Sequence, residues 1–574
     1  MSIEFDAEDK KLKDIFGGEK YVIPRYQRPY SWTNSEVEDL WNDISREDLI
    51  FLGSFVFNYE NYDKTDFVEV IDGQQRLITL TIFFAVLRDI YKELNEEKRA
   101  DITQKQIAFV DDVDPSIQDF RLKCGDSLAN FFEQYIQKGN PFPVKIKKPE
   151  HKRIRDNYIF LKEKIFDEII DMDTSEKIRF IDDLKRKVFD CKIILIKTGS
   201  NEDAYSIFET VNARGADLTS ADLLKNYIFG RLPKQDGEED FAKEKWSEIE
   251  NNVESVKGKL TVSKLIRYFW LSKYDFVPEK KLYKEIKKEI KDYNKLLEEI
   301  HLSSICYTKI VGDTTIEDWE ELNDNVNKQR IIDTFKALRI MGITQPFPII
   351  LALLMNHDRV PLDFSNFLKM LENHHFAFSA ICKKSGNIVE KVYYKRALEL
   401  QDAFNMENEK DRRVKIETIF NDLRMELRNK HYPGRDQFIE SFMDIEYPDN
   451  LIKYIFSKIE AEKSKTSEKT DWSSANIEHI LPQDPKEWGK TKKEIKDYVN
   501  LLGNLTLVSK KINGSIGNKP LEEKAKEFEK SKLEIVKELR NYWEENKYKW
   551  TENDIIERQK RLAEYAYDVV WKFE

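Results

Sequence analysis

The chain has 574 residues, too many for one hydrophobic core, which indicates two to four domains. Apolar residues make up 40% and charged residues 35% of the composition, which excludes a disordered chain and favours a folded, helix-rich one. The net charge of −11 gives the whole chain no positive field, so phosphate binding would need a local basic patch.

The four cysteines are scattered and form no CxxC pair, which excludes a disulfide framework and a cysteine-ligated zinc site. The longest apolar stretch, around residues 348–355, is too short to cross a bilayer, and the first residues contain no apolar signal core. We therefore expect a cytoplasmic protein with no membrane partner.

Residues 1–235 alternate between strand-like and helix-like patterns, which predicts a mixed α/β domain with a helical insertion. β-Branched and aromatic residues predict strands over 51–57, 67–71 and 188–196. Helical spacing predicts helices over 77–94, over parts of 117–186 and over 201–212. A capping box formed by Thr219 and Asp222 then predicts the start of another helix.

Residues 236–460 follow the helical period almost throughout, which predicts a helical middle domain. Its Lys/Glu runs, such as KKLYKEIKKEIKDYNKLLEEI, are typical of solvated helix faces. The polar stretch 461–470 predicts a linker that opens a third domain, 461–574. The expected fold class is therefore α+β and helix-rich.

The segment FVEVIDGQQRLITL has the form of an anion site. A strand ends at Asp72, Gly73 allows a tight turn, and a following helix N-terminus presents free N–H groups and a positive dipole end to phosphate. Gln74 and Gln75 can donate from their amides and Arg76 can form a bidentate contact. Asp72 can hold a metal ion or orient a water molecule.

Upstream, IPRYQRPYSW places Arg25, Gln27 and Arg28 between aromatics and prolines, within reach of the same anion. In the alternative interpretation, Asp72 caps the helix and the two arginines form surface ion pairs, and DGQQR alone does not decide between them. The Walker A pattern GxxxxGK[ST] does not occur, which excludes a P-loop NTPase.

His479, the last of the seven histidines, precedes two asparagines in an order that suits phosphodiester hydrolysis. That reaction needs an activated water, a metal that stabilises charge on the phosphate, and a residue that orients the base. The order Glu478, His479, Asn504, Asn513 is that of a ββα-metal (HNH) nuclease. A histidine beside apolar residues is also commonly a packed residue, which is the alternative here.

Four segments together closely resemble the N-terminal domain of GmrSD-type restriction proteins: IPRYQRPYSW (23–32), FLGSFVF (51–57), IDGQQRLITL (71–80) and IFETVNARGADLTSADLLKN (207–226). The resemblance implies a ParB/sulfiredoxin-like fold that binds and hydrolyses a nucleoside triphosphate. The nucleotide site it implies comprises Asp72, Gly73, Gln74, Gln75 and Arg76, with Arg25, Gln27 and Arg28 as helpers. Asn212 and Arg214 belong to a family motif, with helix termination as the alternative.

EHILPQ, LGNLTLVSKKIN and the basic stretch that reaches Lys524 resemble the C-terminal HNH domain of the same type. The resemblance implies that His479 is the general base, Glu478 and Asn513 are metal ligands, and Asn504 organises the loop. Many HNH enzymes have aspartate where this chain has Glu478. Many also carry zinc knuckles, so here we expect packing of Trp543, Trp550 and Trp571 to stabilise the domain. The lysines predicted to contact the DNA backbone, or else to be solvated, are Lys510, Lys511, Lys519 and Lys524.

The resemblance implies a modification-dependent (type IV) restriction endonuclease in anti-phage defence. Its nucleotide state would be coupled to DNA cleavage that uses Mg²⁺ or a similar divalent metal, and modified phage DNA would be the trigger. A nucleotide-switched DNA-binding or regulatory protein with an inactive HNH domain is the alternative, favoured by Glu478 and the acidic net charge. An RNA-directed nuclease is a third. The sequence leaves open the nucleotide, the modification, nicking or double-strand cleavage, and whether the protein is a homodimer.

Overall fold

The structure, a computed structural model, divides into two compact units, residues 1–243 (unit 1) and 244–574 (unit 2). The residues it describes are 5–24, 27, 29–46, 50–110, 118–125, 128–200, 203–204, 207, 219–232, 240–256, 261–323, 325–359, 364–444, 447–464 and 475–573. It is helix-rich with a mixed sheet near the N-terminus, which confirms the α+β class.

Unit 1 is built around a mixed six-stranded sheet with the order β1-β8-β3-β4-β2-β7 and a separate hairpin of β5 and β6. In chain order the strands are β1 Asp6–Lys11, β2 Tyr21–Val22, β3 Phe51–Asn58, β4 Val68–Asp72, β5 Ala108–Val110, β6 Gln118–Phe120, β7 Leu122–Lys123 and β8 Lys192–Thr198. Within the six-stranded sheet, β1 with β8 and β3 with β4 are antiparallel, and the remaining neighbours are parallel.

In unit 1, the helices up to residue 190 pack apolar residues into one core with the sheet, and one more helix follows β8. Their bounds are Leu12–Gly17, Asn34–Arg46, Tyr62–Thr65, Gln74–Glu93, Glu97–Gln104, Ala129–Phe132, Glu133–Gln137 (a π-helical turn), Pro149–Ile169, Thr174–Asp190 and Ser220–Arg231. Gln74–Glu93 is buried on nearly every face and packs against Pro149–Ile169. This burial explains why its sequence is apolar all round rather than amphipathic.

Unit 2 is mostly helical. Its α-helices are Phe241–Ser255, which starts at the boundary, Val262–Lys273, Leu282–Glu289, Tyr293–Val311, Lys328–Met341, Phe347–Leu354, Phe364–His375, Asn387–Phe404, Glu409–His431, Arg435–Met443, Asp449–Ser464, Lys492–Ile495, Lys510–Ile516, Leu521–Phe528, Glu534–Glu545 and Glu552–Tyr565. The π-helical turns are Phe376–Ile381 and Ala566–Val570, and the 3₁₀ turns are Glu279–Lys281, Glu317–Trp319, His357–Arg359, Lys486–Trp488 and Leu502–Asn504.

Two short antiparallel strands, β9 Asn476–His479 and β10 Leu505–Val508, lie in unit 2, followed by the helix Lys510–Ile516. One apolar core joins this region to the helices that precede it, from Ala337 onwards. Trp571 stacks on Phe376 with ring centroids 3.7 Å apart. As expected, Trp543, Trp550 and Trp571 are buried in this core.

The strands at 51–57 and 67–71, the long helix after Gly73 and the capping box at Thr219 are all confirmed. The predicted strand 188–196 is wrong at its start, because the helix Thr174–Asp190 continues through those residues and β8 begins only at Lys192. Ile181, Leu184 and Val188 are buried at helical spacing, so the packing of the helix outweighs the β-propensity of its last turn.

The Lys/Glu run at 280–300 divides into two helices, with Asp292 capping the second through Lys295 N–H. The predicted linker is helical as far as Ser464, and the rest of it lies outside the described residues. Most of the predicted helix 201–212 also lies outside them. Among the described helices, none has the length and apolar character needed to cross a membrane.

Candidate functional site

Glu478 and His479 are the last two residues of β9, so their side chains leave opposite faces of the strand. Within the hairpin, His479 pairs with Leu505 and Glu478 with Thr506. Glu478 is buried, whereas His479 is half-buried. The helix Lys510–Ile516 packs against β9, which completes a ββα arrangement around the histidine.

The imidazole of His479 is held on one side by two amide side chains. Its Nε2 lies 3.3 Å from Asn500 Oδ1 and 3.2 Å from Gln483 Nε2. Burial lowers the pKa of His479, an effect that the hydrogen bond to Asn500 opposes. The lowered pKa favours the neutral ring, which is the form that can accept a proton.

Glu478 forms a buried ion pair with Lys524. Lys524 Nζ donates to Glu478 Oε1 and to the carbonyl oxygen of His479, both at 2.8 Å, and the lysine side chain is 0% exposed. Burial raises the pKa of Glu478 and lowers that of Lys524, each against the attraction of the other. The prediction that Lys524 contacts the DNA backbone is therefore wrong, because its ammonium group faces the protein interior.

Asn504 ties the loop that follows His479 to its surroundings and is 0% exposed. Its Oδ1 accepts from Leu481 N–H at 2.9 Å and from Trp550 Nε1–H at 3.0 Å. Its Nδ2 donates to the carbonyls of Leu481 and Val499 at 2.9 and 2.8 Å. All four hydrogen-bonding positions of the amide are thus used, which fixes the path of the chain on both sides of the strand pair.

The helix Glu552–Tyr565 holds the turn that carries Asn504. Arg558 donates to the carbonyls of Gly503 and Leu505, both at 2.7 Å, and burial lowers its pKa to about 9. Gln559 accepts from Gly503 N–H and donates to Phe442 O at 3.0 Å. A Cβ at Gly503 would collide with the carbonyl oxygen of Ile555, so only glycine permits this close approach.

Asn513 lies on the helix Lys510–Ile516, half-exposed, and its side-chain amide has no hydrogen-bond partner among the described residues. Ser509 caps this helix through Ile512 N–H. Lys510 and Lys511 are exposed on its first turn and Lys519 is half-exposed beyond its end.

The oxygen of the Asn513 amide and the Glu478 carboxylate are donors that suit a hard divalent cation. The Glu478 carboxylate is, however, already engaged by Lys524. In the part of the chain that the structure describes, no group of three or more His, Cys, Asp or Glu residues could hold a metal ion. A metal here would therefore need amide, phosphate or water oxygens to complete its shell.

In unit 1, β4 ends at Asp72 and the helix Gln74–Glu93 follows directly. Gly73 occupies the N-cap position at φ 93°, a left-handed conformation that favours glycine, and a Cβ there would meet the ring of Phe55. Gln74 and Gln75 are buried, and the Asp72 side chain is 21% exposed.

Gln75 and Gln27 join the DGQQR segment to the preceding loop. Gln75 Oε1 accepts from Ser31 N–H at 2.8 Å, and Gln27 Nε2 donates to Ile71 O at 2.8 Å. These contacts place Gln27 and Ser31 against the start of the helix.

Arg76 joins the same segment to β3. Its guanidinium donates to the carbonyls of Leu52 and, at 2.7 Å, Ser54, and Asp72 Oδ2 lies 3.5 Å away. Burial lowers the pKa of Arg76, which Asp72 partly offsets. The structure thus brings together three of the four segments that carry the resemblance. Arg25, Arg28, Asn212 and Arg214 lie outside the described residues.

Three residues of this site, Gln483, Asn500 and Arg558, were not predicted from the sequence. Gln483 ends the EHILPQ motif, which is a signal that could have identified it. Arg558 contacts a turn more than 50 residues earlier in the chain, and no local pattern marks such a pair.

Two family profiles match the chain, and together they cover more than half of it. The profile described as "GmrSD restriction endonuclease, N-terminal domain" matches residues 12–229, and that described as "GmrSD restriction endonucleases, C-terminal domain" matches 432–565. No curated protein matches the chain. The second match contains the ββα arrangement around His479, and the first contains DGQQR. The chain therefore belongs to the GmrSD-type restriction enzymes, type IV restriction endonucleases that act on DNA.

Proposed function

We propose that this restriction endonuclease cuts DNA phosphodiester bonds at the ββα arrangement of β9, β10 and the helix Lys510–Ile516, and that a nucleoside triphosphate bound at DGQQR controls the cut. The observation that carries the proposal is the half-buried imidazole of His479 at the end of a strand, beside a loop that Asn504 holds in place.

In the proposed reaction His479 accepts a proton from the attacking water. Because burial favours its neutral form, a lone pair is present for this purpose at physiological pH. Asn504 contributes by holding the backbone of Leu481, two residues after the histidine, and of Val499, which precedes the histidine's contact Asn500, so it acts as a positioning residue.

A divalent metal, Mg²⁺ or similar, would be held by Asn513 together with oxygens of the scissile phosphate. When bound, it would stabilise the charge that develops on that phosphate. The side-chain amide of Asn513, which has no hydrogen-bond partner within the described part of the chain, supports this assignment. Ligation by Glu478 would require its carboxylate to bind the metal while it is paired with Lys524, or to leave that pair.

The nucleotide phosphates are proposed to lie at the N-terminus of the helix Gln74–Glu93. Gly73 supplies the turn, and the partly exposed Asp72 supplies a carboxylate for a metal ion or a water molecule. Gln75 accepts a hydrogen bond from the backbone N–H of Ser31, and Arg76 donates to backbone carbonyls of β3, so both side chains already bind the protein. Their contribution is therefore to shape the site, and the bound phosphate would stabilise that shape.

The proposed trigger is modified phage DNA, with nucleotide turnover coupled to cleavage. The test supplies unmodified or modified phage DNA, each nucleoside triphosphate in turn, and Mg²⁺ or EDTA. His479→Ala should abolish cleavage and preserve nucleotide turnover, whereas Asp72→Ala should impair turnover. Loss of turnover in both variants, with unchanged melting temperatures, would contradict two separate sites.

A nucleotide-switched regulatory protein with an inactive HNH domain is the second candidate, favoured by the engagement of Glu478 with Lys524. Plasmid nicking with and without EDTA separates the two candidates. Metal-dependent nicking supports the nuclease, and DNA binding without nicking, with every nucleotide and modification supplied, supports the regulator.

A further inference from the structure

The segment that connects β9 to β10, residues 480–504, returns to the catalytic histidine at both of its ends. Gln483, near its start, and Asn500, near its finish, both place amide atoms beside the same ring nitrogen of His479. Gln483 Nε2 also lies 3.5 Å from Asn500 Oδ1. One ring nitrogen, Nε2, is therefore enclosed by side chains of this segment. The other, Nδ1, has no hydrogen-bond partner among the described residues.

The two amides are not equally fixed. Asn500 directly follows Tyr498 and Val499, which are buried in the core of unit 2, and the carbonyl oxygen of Val499 accepts a hydrogen bond from Asn504 Nδ2 at 2.8 Å. Gln483, in contrast, is exposed. The position of the Asn500 amide is consequently determined by the fold, whereas that of Gln483 can adjust.

The nitrogen Nε2 can either donate one hydrogen or accept one. With Asn500 Oδ1 facing it, a lone pair on Nε2 would repel the amide oxygen, whereas a hydrogen on Nε2 forms a hydrogen bond. The NH₂ group of Gln483 then turns to the same Asn500 oxygen. We infer that Asn500 is a positioning residue that holds His479 as the Nε2–H tautomer and leaves Nδ1 as the proton acceptor.

This inference rests on the proposed function for its catalytic meaning. In the step it implies, a proton of the attacking water passes to Nδ1, the water oxygen bonds to phosphorus, and the bond to the leaving sugar oxygen breaks. That oxygen then takes a proton from solvent. Asn500 touches neither water nor phosphate in this step, and it acts through the orientation of the ring.

The test is nuclear magnetic resonance of the full-length protein with ¹⁵N-labelled histidine, without metal and at alkaline pH. The His479 signal is identified by its absence in His479→Asn. We expect a pyridine-like Nδ1, a pyrrole-like Nε2 and an Nε2 proton that exchanges slowly with solvent. Asn500→Asp should keep all three features, because a carboxylate oxygen also accepts from Nε2–H.

Asn500→Leu, of similar size, should lose the slowly exchanging proton and mix the two tautomers, because among the described side chains Gln483 alone then remains beside Nε2. Its kcat for DNA cleavage should fall on the order of 10-fold to 100-fold with KM unchanged, as expected when a reacting group is misoriented. Gln483→Ala is the matched control and should keep the wild-type tautomer. The six other histidines report whether the fold has changed.

An Nδ1–H tautomer in the wild type, or an unchanged Nε2 proton in Asn500→Leu, would overturn the inference. Failure of the proposed function gives a different pattern. In that case His479→Ala would cleave DNA at the wild-type rate while the tautomer results stood as they are.

Discussion

Replacement of Lys524 by methionine removes the cation beneath the strand that carries His479. The lysine side chain is 0% exposed, and the Glu478 side chain that pairs with it is 11% exposed. Burial shifts the pKa of each partner toward its neutral form, so the cost of burying both charges outweighs their attraction. The pair therefore adds little net stability. Removal of one partner, however, leaves the other buried and unpaired.

From this geometry we expect Lys524→Met to destabilise unit 2 by about 3 to 5 kcal/mol, the usual cost of an uncompensated buried charge. Glu478→Gln with Lys524→Met should recover most of that loss, because neither a charge nor a lone carboxylate then remains. Denaturant unfolding followed by tryptophan fluorescence measures both variants. A single variant within about 1 kcal/mol of wild type would refute the burial argument.

The same double variant separates two roles for Glu478. If Glu478 only positions the strand, the metal concentration that gives half-maximal cleavage should stay unchanged once the pair is replaced. If Glu478 is a metal ligand, that concentration should rise. His479 and Asn513 are intact in this variant, so the comparison isolates the carboxylate.

Three further predictions concern the scaffold of unit 2. Gly503→Ala should destabilise the protein by about 1 to 3 kcal/mol because the Cβ would collide with the backbone of the helix Glu552–Tyr565, whereas Gly514→Ala, with open space around it, should be neutral or stabilising by calorimetry. Asn504→Ala should lower the free energy of unfolding by about 4 kcal/mol or more, since it leaves two donors and two acceptors unsatisfied. Urea unfolding measures this loss, which would be smaller if water replaces the amide. Burial lowers the pKa of His374 to about 3, so the unfolded chain binds a proton that the folded one does not, and stability should fall as pH drops from about 6.5 toward 3. His374→Phe should weaken this acid sensitivity, and an unchanged acid-unfolding midpoint would contradict it.

Local patterns in the sequence predicted the elements that depend on neighbouring residues. The strand over 51–57, the capping box at Thr219 and the long helix after Gly73 are all short-range features, and the structure contains each of them. The strand predicted from residue 188 started too early because β-branched residues also end an amphipathic helix whose burial is set by the tertiary core.

The hydrogen-bond partners of the polar side chains could not be predicted from the sequence, because they lie far away along the chain. Lys524 was predicted, from its place in a basic stretch, to contact DNA or solvent, yet it reaches back 46 residues to Glu478. Arg76 was assigned to a phosphate, yet it donates to carbonyls of β3. The order of His479, Asn504 and Asn513 was visible in the sequence, but the amide that faces His479, Asn500, was not.

The most direct test of the account is the cleavage of modified phage DNA by His479→Ala beside wild type, with Mg²⁺ and each nucleoside triphosphate supplied. Wild type should cleave this DNA at a rate that falls to zero with EDTA, and His479→Ala should not cleave it while melting at the wild-type temperature. Cleavage by that variant at the wild-type rate would contradict the assignment of the nuclease site to the end of β9.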